Sequence, residues 1–136
     1  MEQNTNYKLT TVETFQQQQY DNKGWKPFIQ LAIDKEDLRY TLEEIEEGIS
    51  NHNYQLWPGK KSAIITQVLS AEGKNVLNIL LCGGNMKELL HKLPQLEQFA
   101  KFCDCCSIIG GGRKGWIKVL KEHGFKQKFI IEKRLD

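Results

Sequence analysis

Gly110-Gly111-Gly112-Arg113-Lys114-Gly115-Trp116 is the run of this chain best suited to holding an anion. Three glycines ahead of a helix start can bring backbone N–H groups close to a ligand, and Arg113 and Lys114 add positive charge beside them. The bases continue beyond this run. From Arg113 to Asp136 there are eight (Arg113, Lys114, Lys118, Lys121, Lys126, Lys128, Lys133, Arg134) against three acids (Glu122, Glu132, Asp136). That local excess suits nucleic acid, the phosphates of a small ligand or an acidic partner, and it suits equally a solvated surface that balances an acidic helix earlier in the chain. The four cysteines are the other reactive groups. Cys103, Cys105 and Cys106 are crowded and Cys82 is distant, which is not a zinc-finger spacing, so no metal site is expected.

The elements that must position these groups follow from hydrophobic periodicity. Val76–Cys82 is short and apolar enough for a buried strand, and it stops at Gly83-Gly84. Met86, Leu89, Leu90, Leu93, Leu96, Ala100 and Cys103 then share one helical face. Pro94 is expected to kink or split this helix near Leu93. Ser107-Ile108-Ile109 reads as a second short strand. Trp116, Val119, Leu120 and His123 resume helical spacing, and Gly124 is a C-cap candidate. The unit is β-α-β-α, so Val76–Cys82 and Cys106–Ile109 are expected to be adjacent parallel strands.

Upstream, Trp25, Phe28, Ile29, Ala32 and Ile33 predict a helix with Pro27 in its first turn. Thr41-Leu42-Glu43-Glu44 is a capping-box pattern opening a helix that runs to about Ile49. Seven acids against two bases between Asp34 and Ser50 mark a solvated face. Tyr54–Trp57, Lys61–Leu69 and Val76–Cys82 form an antiparallel meander with turns at Pro58-Gly59 and Ala71–Lys74. Phe125–Leu135, centred on Phe129, Ile130 and Ile131, is the last expected strand. The order α-α-β-β-β-α-β-α-β makes an α/β (α+β mixed sheet) fold with helices on both faces. The 136 residues suggest one domain, with 1–11 loosely ordered. A net charge of +2 does not by itself imply nucleic acid, and no apolar run is long enough to span a membrane. A cytoplasmic chain with reduced thiols is the expectation.

The element order resembles the acyltransferase fold of the GNAT superfamily, and more closely the small GNAT-like proteins encoded by bacteriophages and prophages. Three blocks carry the resemblance, from Gln55 to Phe125. They are Gln55-Leu56-Trp57-Pro58-Gly59; Leu80-Leu81-Cys82-Gly83-Gly84 with Glu88-Leu89-Leu90; and Gly112-Arg113-Lys114-Gly115-Trp116 with Val119-Leu120 and Gly124-Phe125. The resemblance implies a GNAT-like fold, acetyl-CoA or another acyl-CoA as cofactor, and an acceptor amine or protein partner.

In GNAT enzymes a Gln/Arg-x-x-Gly-x-Gly/Ala loop after the matching strand holds the cofactor pyrophosphate. The positions here are Cys82, Gly83, Gly84, Asn85, Met86 and Lys87. Two glycines and a helix start match, and Lys87 offers charge. The family's usual base and Tyr acid have no counterpart. Asn78 is the one polar side chain of Val76–Cys82, and His123, followed by Cys105 and Cys106, is the candidate near the last helix. His123 shares the Trp116–Leu120 face, so a packed histidine is expected there. Two functions stay open: an N-acyltransferase, or a catalytically inactive GNAT-fold protein that binds a partner, as in virion assembly.

Overall fold

The computed structural model describes residues 23–36, 40–111, 114–128 and 131–135. Helix α1, Lys26–Glu36, follows a 3₁₀ turn at Lys23–Trp25. Its apolar positions recur every three or four residues, and Trp25, Ile29, Ala32 and Ile33 are buried as the spacing predicts. Helix α2, Leu42–Ser50, starts at Thr41. The Thr41 Oγ1 accepts from the Glu44 N–H at 3.1 Å, satisfying one of the first-turn amides that the helix itself leaves unpaired. An ion pair of 2.9 Å between Lys26 and Glu46 ties α1 to α2.

Four strands follow: β1 (Gln55–Pro58), β2 (Ser62–Ala71), β3 (Lys74–Gly84) and, after helix α3 (Met86–Phe102), β4 (Cys105–Gly110). The sheet order is β1-β2-β3-β4. The first three strands are antiparallel neighbours and β3 pairs with β4 in parallel, as the crossover pattern predicts. Glu72 and Gly73 close the β2–β3 hairpin with positive φ at both, 54° and 76°, the geometry of a two-residue turn between twisted strands.

Alternation along the strands sends residues to two cores. Leu56, Ile65 and Leu81 pack under α1 and α2 with Trp25, Ile29 and Ile45. Trp57, Ile64 and Leu77 pack under α3 with Leu89, Leu93, Leu96 and Phe99. A buried chain of hydrogen bonds pins β1 to β2. The Trp57 indole donates to Thr66 Oγ1 at 2.9 Å, and the Thr66 hydroxyl donates to Gln55 Oε1 at 2.9 Å.

Three expectations change. Helix α3 runs unbroken through Pro94, which lies on its exposed side while Leu93 and Leu96 anchor both neighbouring turns to the sheet. Met86 is half out of the core at 37% exposure, and Phe99 is buried in the α3 core, edge-on to Trp57 at 5.4 Å between ring centroids. After helix α4 (Lys114–Lys121), residues 125–128 and 131–135 form no strand. Ile131 is 98% and Leu135 90% exposed, so the apolar side of that stretch meets no sheet face, the condition its alternation required. Phe129 and Ile130, the centre of the expected strand, lie outside the described residues.

Candidate functional site

The sheet opens at one point. β3 pairs with β4 from Asn75↔Cys105 to Ile79↔Gly110, where β4 ends, while β3 continues to Gly84. A bulge sits at the same place. Ile65 pairs with Leu81 and Thr66 with Ile79, leaving Leu80 as the extra residue. Beyond Ile79 the β4 side of β3 therefore has no neighbouring strand among the described residues. On the α3 side of this parting lies an apolar cavity of about 50 Å³. Ile64, Ile79 and Cys82 line it from the sheet and Leu89, Leu93 and Leu96 from α3. Trp116 and Leu120 close it from α4, with Gly110 and Gly111 at the end of β4. Among the described lining residues, Cys82 is the one with a titratable side chain.

The connection from β3 to α3 is a single residue, Asn85. Its side chain caps α3 by accepting from the Glu88 N–H at 3.1 Å, and its own N–H donates to the Lys61 carbonyl at 2.9 Å. Both glycines before it serve contacts inside the protein. A Cβ on Gly83 would lie 2.3 Å from the Phe28 carbonyl oxygen. A Cβ on Gly84, whose φ is +109°, would lie 2.2 Å from that of Lys61.

Glu88 then closes the helix end. Its carboxylate accepts from the Lys61 N–H at 3.0 and 3.2 Å and from the Ser62 hydroxyl. Gly59 has to be glycine for this, since a Cβ there would come 1.7 Å from Glu88 Oε1. The Ser62 hydrogen bond, then the Lys61 amide and the charges of Lys92 and Lys60, hold the Glu88 carboxyl below the usual glutamate range against the opposing effect of burial. A fixed negative charge in the first turn stabilises α3, and it repels a second anion brought to the same place.

Outside α3 runs an open groove of about 560 Å³. Lys87, His91 and Glu97 line it from α3, over a floor of Leu90, Leu93 and Pro94, and His123 faces them from the turn after α4. Gly124 (φ +89°) makes that turn. The Gly124 N–H donates to the Lys121 carbonyl and the Phe125 N–H to the Leu120 carbonyl, the paired bonds that end a helix at a left-handed glycine.

These placements sort the residues singled out by sequence. Cys82 lines the inner cavity, Gly83, Gly84 and Asn85 lie at the short β3–α3 connection, and Lys87 reaches the groove. His123 is exposed where a packed histidine was expected, because α4 ends at Lys121 and His123 falls past the apolar stripe. Asn78 alternates with Leu77 and Ile79, so it faces away from the cavity, where its amide donates to Gln67 Oε1 at 3.3 Å. Cys105 and Cys106 lie at the start of β4 and do not line the cavity; burial, then Cys106 and Asp104, push the Cys105 thiol up. Lys114 opens α4, and Arg113 lies outside the described residues. Sequence reasoning missed Glu88, Ser62 and His91. Asn85-x-x-Glu88 is a capping pattern that could have flagged the first, and Lys87 and His91 stand one helical turn apart. No group of three or more His, Cys, Asp or Glu side chains able to hold a metal occurs among the described residues, and no helix of theirs is long and apolar enough to cross a membrane.

No family model matches the chain, and no curated protein matches it. Solved structures do. A probable acetyltransferase superposes with a TM-score of 0.64 at 10% identity, over 80% of this chain and 86% of its own. Glucosamine-6-phosphate N-acetyltransferase from Arabidopsis thaliana gives 0.58 at 11% identity, over 82% and 90%. An aminoglycoside acetyltransferase from an uncultured soil metagenomic sample, in complex with sisomicin, gives 0.55 at 11%, over 80% and 86%. At these identities the likeness is one of fold: this chain has a GNAT-like α/β fold.

Proposed function

We propose that this chain is a single-domain, cytoplasmic, acyl-CoA-dependent N-acyltransferase of the kind encoded by phages and prophages. The observation that supports it most is the parting of β3 from β4 at Ile79, above an apolar cavity, within a GNAT-like fold. The β3 edge beyond Ile79, which β4 does not cover, offers backbone N–H and C=O groups that an extended, amide-bearing arm can pair with as a strand would. Ile79, Leu89 and Trp116 keep water from its reactive end, and Gly110 and Gly111 let it approach the backbone closely. Acyl-CoA, when bound, supplies the activated thioester that an amine attacks. The β3–α3 connection disfavours the phosphates, since Gly83 and Gly84 pack against backbone carbonyls and the Glu88 carboxylate repels a second anion. Among the described residues none lining the cavity is a carboxylate or imidazole, and the contribution to rate that these residues make is positioning, with the amine's proton passing to water. The phage and prophage provenance rests on the three sequence blocks named above.

The test is amine-dependent release of CoA thiol from acetyl-CoA, followed by mass spectrometry of the acetylated product over a panel of polyamines, amino sugars and peptides. Product with any acceptor supports the reading. A folded protein that transfers nothing across the panel contradicts it.

The closure of the α3 N-terminus by Glu88 favours a second reading, a catalytically inactive GNAT-fold protein that acts through a protein partner, as in virion assembly. Failure to bind acetyl-CoA separates this reading from the first.

A further inference from the structure

We infer that the anionic end of acyl-CoA lies in the groove between α3 and the turn after α4, against Lys87, His91 and His123, and not on the N-terminus of α3. The inference rests on the acyl-CoA reading above and adds where this chain holds the charge. A fixed negative charge stands beside the usual place for a phosphate on such a helix: Glu88 sits in the first turn with its carboxylate bonded to the Lys61 amide and the Ser62 hydroxyl. Gly83 is buried against the Phe28 carbonyl and Gly84 packs one side against that of Lys61, so part of their backbone is already engaged inside the fold.

The groove supplies what that end lacks. Its volume of about 560 Å³ falls within the range of small-molecule sites. Leu93 lines both the inner cavity and the groove, so the two spaces lie on either side of one residue. Lys87 and His91 stand one turn apart on α3, and His123 comes from a separate element across from them. Each offers an N–H donor, and none of these side chains makes a hydrogen bond or ion pair with another described residue. Glu97 shares the groove and repels phosphate, which sets the anion toward the Lys87 end.

The test is a titration of the whole protein with acetyl-CoA, read from the ring protons of its three histidines by NMR. His52, in the turn between α2 and β1, is the internal control. The inference predicts that the His91 and His123 signals move along one saturation curve while His52 stays still. It predicts that the double variant His91→Ala/His123→Ala binds at least about tenfold more weakly, and that Glu88→Gln changes affinity less than about threefold. Saturable binding with His91 and His123 unmoved, or a tenfold gain in affinity from Glu88→Gln, places the phosphates on the α3 N-terminus and overturns the inference while leaving the acyl-CoA reading intact. Absence of any saturable binding by wild type overturns both.

Discussion

The Ser62 hydroxyl donates a hydrogen bond to the Glu88 carboxylate, and this contact joins the start of β2 to the first turn of α3. The Lys61 amide adds a bond of 3.0 Å to the same carboxylate. One acid thereby fixes two elements and decides what the helix end can accept.

Stability should depend on pH through this residue. The folded state lowers the Glu88 pKa, chiefly through Ser62, so its contribution is complete above the unfolded value of about 4.3 and is lost as pH falls through the lower folded value. Glu88→Gln is expected to cost about 0.5–1 kcal/mol at pH 6, the scale for a carboxylate so open to solvent. The gap between wild type and variant should shrink toward pH 3. Urea denaturation at both pH values measures it, and an undiminished gap at pH 3 would contradict the assignment.

Two glycines of similar sequence context should respond oppositely to alanine. Gly84→Ala adds a Cβ 2.2 Å from the Lys61 carbonyl oxygen at a φ of +109°, and is expected to cost at least about 2 kcal/mol. Gly111→Ala meets nothing within 4 Å and should change stability by less than about 0.5 kcal/mol. Thermal melts of the two variants settle the comparison, and equal losses would refute it. Loss of acyl-CoA binding in a Gly84 variant would therefore report folding before it reported phosphate contact.

The cysteines should label unequally. The Cys105 thiol is half-buried and pushed up by that burial, so little thiolate forms near neutral pH, whereas Cys106 is exposed. Iodoacetamide at pH 7.5 should modify Cys106 several-fold faster than Cys105, as peptide mass spectrometry would read. Faster labelling of Cys105 would mean that the α3–β4 corner is open.

The β-α-β-α unit was legible because its periods differ sharply: an apolar run of strand length, then a stripe at helical spacing, then a second short run. Parallel pairing of β3 with β4 followed from the crossover alone. Thr41 and Gly124 were readable because caps depend on local chemistry. The closure at Glu88 was not. It needs Gly59, Lys61 and Ser62, more than twenty residues upstream, brought to α3 by the β2–β3 hairpin, and no local pattern encodes that approach. The packing of Gly83 and Gly84 was not legible for the same reason. Sequence shows that a glycine is there, and only the fold shows that the Phe28 and Lys61 carbonyls occupy the space beside it. His123 was misplaced because α4 stops two residues short of it, earlier than its apolar spacing suggests.

Binding of acetyl-CoA to the wild-type protein, measured by isothermal titration calorimetry, tests the central claim most directly. The account predicts a saturable one-site isotherm with a Kd below about 1 mM, the upper end of ordinary enzyme–substrate affinities. It also predicts weaker binding when Trp116→Ala opens the wall of the cavity between β3, α3 and α4. A folded wild-type protein that takes up no acetyl-CoA at millimolar concentration would contradict it and leave the partner-binding reading in its place.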